Sequence, residues 1–135
     1  PDLLLLAVVH DLGKVLMLVH EAPENVFCTT RHLGSPEPGC GLERVVFQYG
    51  HPEFVYSRLH GYVPDHVAWA ARYHNIHPAE VEPFMSARDR EWYGRLLAPF
   101  RPYDGGFGSP YFLPRVDLER IRAIVEAAFP EPILI

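Results

Sequence analysis

The stretch Val9-His10-Asp11-Leu12-Gly13-Lys14 decides how this chain is read. A histidine and an aspartate stand side by side in apolar sequence, with Leu3 to Val8 before them and Val15 to Val19 after. Burying an ionisable pair there costs free energy unless a partner compensates, and a metal ion is a common compensator. Neighbouring side chains on a helix point about 100° apart. The pair can therefore meet one metal from two directions, or the carboxylate can bridge to a second. A core His–Asp pair hydrogen-bonded to the backbone is the alternative. Residues 2–19 read as one buried helix, in which His10 and Lys14, four apart, share a face.

Working outward, Pro23, Pro36, Pro38 and Gly39 mark 20–39 as an irregular connection, with Thr29, Thr30, Arg31 and His32 as its polar candidates. Apolar positions 42, 45, 46 and 49 have helical spacing over 40–49. A helix from Glu53 to Leu59 puts His51 at a helix junction beside Pro52. Another from Pro64 to Tyr73 carries Val67, Ala70, Ala71 and His74 on one stripe. Residues 86–100 predict an amphipathic helix, followed by a Gly-rich break from Arg101 to Gly108 that contains Asp104. Asp117 reads as the N-cap of a last helix through Phe129. No alternating pattern supports a sheet, so the expected fold is all-α.

A length of 135 residues suits a single domain over 1–135, since domains commonly run to about 100–150 residues. The formal charge of −5 argues against binding nucleic acid through its phosphates. The Leu-rich start lacks the basic lead-in and cleavage site of a signal peptide, and it is too short and interrupted for a membrane span. Two cysteines, Cys28 and Cys40, give no disulfide framework and read as structural thiols. A cytoplasmic protein is expected. Because the chain opens on Pro1 inside an apolar helix pattern, it reads as an N-terminally trimmed form of a longer domain.

Among eight histidines, His20, His32, His60, His66 and His77 sit in loop-like or polar settings and read as surface residues. The candidate ligands are His10, Asp11, His51, His74 and Asp104, which must converge from different helices. Nitrogen and carboxylate ligands without thiolate suit iron, manganese or zinc. Inward-pointing ligands from several helices are how helical bundles build two-metal sites. Taken singly, His74 reads as a core histidine and Asp104 as a turn former, and His51 reads equally as a helix-junction cap.

The chain resembles a family. His10-Asp11 is the doublet that names the HD-domain superfamily of helical metalloproteins. The stretches His10 to Leu16, Cys40 to Val45, Tyr49 to Tyr56, Ala71 to His74, Phe100 to Asp104, Val116-Asp117 and Pro132 to Leu134 are similar, in order, to myo-inositol oxygenase. The resemblance implies an HD-type helical bundle with two iron ions, a mixed-valent pair, between its helices. One iron would be held by His10, Asp11, Asp104 and an upstream histidine; the other by bridging Asp11 with His51 and His74. The implied activity is O₂-dependent oxidative cleavage of a polyol, myo-inositol to D-glucuronate or a related substrate; separately, a monomer without nucleic-acid or membrane partners is expected. Lys14 corresponds to the family's substrate-facing lysine, suited to stabilising an alkoxide, and Thr30 and Asn75 are further substrate-shell candidates.

Departures fall in that substrate shell and in the loop leading to Cys40, which is much shorter than the family's. Asn75 replaces the family's serine, Gly105 to Gly108 stand where it has a substrate-contacting lysine, and the aspartate expected near Thr29-Thr30 is missing. A related branch of HD oxygenases cleaves hydroxylated organophosphonates. An HD-type phosphohydrolase, using metal-bound hydroxide against a phosphate ester, needs fewer of these residues. A non-catalytic helical domain needs none.

Overall fold

The apolar opening segment folds in two pieces. In the computed structural model, which describes residues 1–26, 30–104 and 117–133, helix α1 spans Asp2–Val9. It ends at His10, whose N–H donates to the Leu6 carbonyl at 2.9 Å. Asp11 leaves the helical region (φ −101°, ψ 3°), and Leu12–Val19 continue as a 3-10 helix. The single helix expected over 2–19 is corrected by this break.

Gly13 supplies the physical reason. It is a poor helix former, and a Cβ there would run into the carbonyl oxygen of His51, 2.8 Å from the carbonyl carbon and 2.9 Å from a Val55 methyl. Only glycine lets this segment lie directly on the backbone of α3 (His51–Leu59). The second piece is also less buried than expected. Leu16 is in the core, but Met17, Leu18 and Val19 face outward.

Helix α2 (Pro23–Val26) is a single turn. The helix expected over 40–49 is corrected: one 3-10 turn, Leu42–Arg44, leads into extended backbone. There the Leu33 N–H donates to Val46 at 2.7 Å and the Gln48 N–H donates to Arg31 at 2.8 Å. β-Branched Val45 and Val46 suit extended backbone. Val45 turns in and Val46 out, the alternation of a strand rather than the stripe of a helix.

Helix α3 starts two residues earlier than expected, because Pro52 fits the first helical turn. His51 thereby heads a buried row with Val55 and Leu59. Helix α4 (Asp65–Tyr73) carries Val67, Ala70 and Ala71 inward, and His74 closes it in right-handed helical conformation. After α5 (Pro78–Val81) and a 3-10 turn at Glu82–Phe84, Ser86 and Asp89 form a capping box at the start of α6 (Ala87–Trp92).

The expected break at Arg101 is absent. A π-helical turn, Tyr93–Leu97, joins α6 to α7 (Ala98–Asp104), so helix persists through Pro102 to Asp104. In a regular helix the Pro99 ring would clash with the carbonyl four residues back, and the widened turn falls there. Helix α8 (Leu118–Ala128) is capped as expected, with Asp117 accepting from the Arg120 N–H at 3.0 Å.

One apolar cluster joins these elements, with Leu6, Val9, Val55, Leu59, Val67, Trp69, Tyr73 and Leu97 at its centre. Helix α1 packs on α4, α7 and α8, while α3 packs on α4 and on the 3-10 helix. Among the described residues no strand forms, and the architecture is all-α. No described helix is long and apolar enough to cross a membrane. Cys28, Thr29, Gly105 to Gly108, Val116 and Leu134 lie outside the described residues.

Candidate metal centre

All five expected ligands meet where the end of α1, the start of α3, and the ends of α4 and α7 converge. His10 Nε2 lies 3.4 Å from Asp11 Oδ2 and 3.2 Å from Asp104 Oδ1. His51 Nε2 and His74 Nε2 lie 3.2 and 3.6 Å from the other Asp11 oxygen, Oδ1. The ligand atoms form two overlapping groups, His10–His74–Asp104 and Asp11–His51–His74, each within 4.8 Å. The Asp11 carboxylate is thus divided, one oxygen toward each set.

Backbone bonds set the tautomers. His74 Nδ1 is 2.7 Å from the Ala71 carbonyl, which can only accept, so Nδ1 carries the hydrogen. The buried Nε2 lone pair then faces a carboxylate oxygen, and neither atom has a hydrogen-bond partner. Two acceptors facing each other at 3.6 Å need a cation between them. His51 Nε2 approaches the same Oδ1, but the alignment falls short of a hydrogen bond and Oδ1 stays without a donor. This set of imidazole nitrogens and carboxylate oxygens fits a divalent metal.

His10 is held the same way, with Nδ1 3.2 and 3.1 Å from the Leu6 and Ala7 carbonyls and Nε2 turned inward. Such second contacts fix a ligand's ring and tautomer. Its ring edge meets Phe100, one helical turn before Asp104, with centroids 4.9 Å apart. Burial opposes charge on His10, but Asp11 and Asp104 outweigh it and raise its pKa. Burial likewise opposes charge on Asp11, while the Lys14 ammonium bonded to its Oδ2 lowers its pKa.

Lys14 Nζ donates to Asp11 Oδ2 at 2.5 Å. The shared face expected for His10 and Lys14 belongs to an α-helix. In the 3-10 turn, residues three apart eclipse, and Lys14 stands over Asp11 instead. Asn75 Nδ2 donates to His51 Nε2 at 3.3 Å, placing it beside a ligand atom. Thr30 lines a small cavity with Phe47, Gly50, Glu53 and Tyr73, none of them a member of the cluster.

Three positioning groups escaped the sequence reading. Arg72 forks onto Glu53 at 2.7 and 3.0 Å, tying α4 to α3 two residues from His74 and His51 respectively. Arg101 Nη1 donates to the Ile76 carbonyl at 2.9 Å, tying α7 to the segment after His74. Gly13 is the third. Neither a charge pair 19 residues apart nor a close backbone approach leaves a periodic signal in sequence. His66, expected at the surface, is half-buried and 2.8 Å from Asp2 Oδ2, joining α1 to α4. His32 is also half-buried, its ring against Phe84.

No family model matches the chain, and no curated protein matches it.

Proposed function

We propose that the chain is an HD-type, inositol-oxygenase-like di-iron oxygenase that uses O₂ to cleave a polyol or a related hydroxylated substrate. The observation that carries this reading is the divided Asp11 carboxylate, with imidazole nitrogens facing both of its oxygens. That arrangement supports two ions sharing one bridge, His10 and Asp104 serving one and His51 and His74 the other as the family resemblance implies, with His74 within reach of either set. The choice of iron rests on the family resemblance together with a ligand set free of thiolate. Bound there, an iron pair supplies O₂ activation and hydrogen withdrawal from a substrate C–H bond.

The chain's own residues do the rest. The Leu6, Ala7 and Ala71 carbonyls lock His10 and His74 with their Nε2 atoms inward. Lys14, partly exposed at the rim, is a cation within reach of a hydroxyl bound beside Asp11 Oδ2, where it orients that hydroxyl or stabilises its alkoxide. Asn75 offers a second polar contact beside His51.

Oxygen uptake by iron-loaded protein tests the reading, with myo-inositol and a hydroxylated organophosphonate as candidate substrates. Substrate-dependent uptake with a ring- or C–P-cleaved product is expected. Full iron loading without uptake on any hydroxylated substrate overturns it. A phosphohydrolase is the second reading, because the same nitrogen and carboxylate groups would hold two divalent ions able to activate water against a phosphate ester. Phosphate release with Mn²⁺ in the absence of O₂ is its signature.

A further inference from the structure

The two halves of the centre differ in what already satisfies them. At the inner half, Asp11 Oδ1 and His74 Nε2 are buried without a partner, and His51 and His74 are sealed from solvent. Among the described residues its occupant is a long, neutral contact from Asn75 to His51. At the outer half no fully buried atom among the described residues is orphaned: Lys14 occupies Asp11 Oδ2, and His10 Nε2 faces Asp11 and Asp104 at 3.4 and 3.2 Å. An ion entering the inner half relieves unpaired polar atoms. One entering the outer half must displace an ammonium from a charge-assisted hydrogen bond, the stronger class of such contacts.

Resting on the two-metal reading above, we propose that the centre loads in order and that Lys14 sets the order. The inner triad of Asp11 Oδ1, His51 and His74 takes the first divalent ion. The outer set of His10, Asp104 and Asp11 Oδ2 takes the second only when Lys14 releases Oδ2. Lys14 is then a stand-in cation: it neutralises the bridge while the outer position is empty and is freed toward the substrate side when that position fills. Loading the second ion and presenting the lysine become one event.

Anaerobic titration with Co²⁺, followed by visible absorption and equilibrium dialysis, reads the order directly and needs no turnover. Wild type is expected to bind two ions in resolved steps, the tighter first. Lys14→Met should tighten the second step by about tenfold, the scale of one charge-assisted hydrogen bond, and leave the first within about twofold. Lys14→Arg keeps the cation and should retain the weak second step. Asp104→Asn should remove the second step and spare the first, whereas His51→Ala should remove the tight step.

Two ions bound in one unresolved step, or a Lys14→Met titration that overlays wild type, would overturn the ordered loading while leaving the two-metal centre standing. Failure of wild type to bind any Co²⁺, with its helical circular dichroism intact, would overturn the centre itself.

Discussion

Two carboxylates in this molecule, Asp11 and Asp89, are built from the same chemistry and put to opposite uses. Asp89 is fully buried and accepts from every side: Ser86 N–H at 2.8 Å, Ser86 Oγ at 2.7 Å, Leu42 N–H at 3.0 Å and Trp69 Nε1 at 2.9 Å. Burial opposes its charge, yet these donors outweigh burial and hold its pKa below the usual value. Asp11 is half-buried, and one of its oxygens faces two imidazoles without receiving a hydrogen bond. A carboxylate that the fold satisfies is a structural tie between α6, α4 and the turn at Leu42. A carboxylate that the fold leaves half-satisfied, among imidazole nitrogens that make no hydrogen bond to it, is a place for a cation. Burial alone would have ranked the two the other way round.

The largest expected effect is on the structural side of this contrast. Asp89→Ala leaves the buried Leu42 N–H and Trp69 N–H without acceptors and should cost about 3 kcal/mol or more, read from urea unfolding. A loss below about 1 kcal/mol would mean water replaces the carboxylate and the tie is dispensable.

Gly13→Ala comes next. The added Cβ meets backbone rather than a flexible side chain, so α3 and the 3-10 helix must separate. A destabilisation of about 1–3 kcal/mol, typical of overpacking, is expected, together with weaker metal binding because His51 moves away from Asp11. Unchanged affinity would show that the close approach does not position the site.

Asp11→Asn should cost the metal-free protein less than about 1 kcal/mol, since the Lys14 pair it removes is partly exposed and the orphaned oxygen carries no bond. It should nevertheless abolish stabilisation by metal, which for wild type reaches about 2.7 kcal/mol at a free concentration one hundred times Kd. Thermal melts of both proteins with and without Co²⁺ check this. A variant still stabilised by metal would show that Asp11 is no shared ligand.

The smallest effect is a pH dependence. With a folded pKa held below 3.8, Asp89 contributes stability that is full above that value and fades as pH falls through the lower folded one. The gap in stability between wild type and Asp89→Asn should be constant near neutrality and close only below about pH 4. A gap that closes between pH 5 and 7 would assign the coupling to another group.

Much of the site was legible in sequence, and less of its positioning. Residue type and order singled out His10, Asp11, His51, His74 and Asp104, because histidines and acids in apolar settings need partners. Helical stripes also placed His74 on α4. The pairing of Lys14 was misread, since periodicity cannot tell a 3-10 turn from an α-turn and the two put different residues in register. The extended run at 45–48 was hidden because its partner lies in an irregular segment, and the passage of α7 through Pro102 because a π turn upstream absorbs the prolines. Asp89 drew no attention, for a charged residue on a polar helix looks solvated until Trp69 and Leu42 are seen to point at it.

The central claim is that Asp11 bridges two ions, and low-temperature electron paramagnetic resonance of Mn²⁺-loaded protein, with metal counted on the same sample, tests it most directly. The account predicts two ions per chain with an exchange-coupled spectrum, lost in Asp11→Asn. One magnetically isolated ion per chain at saturation would contradict it.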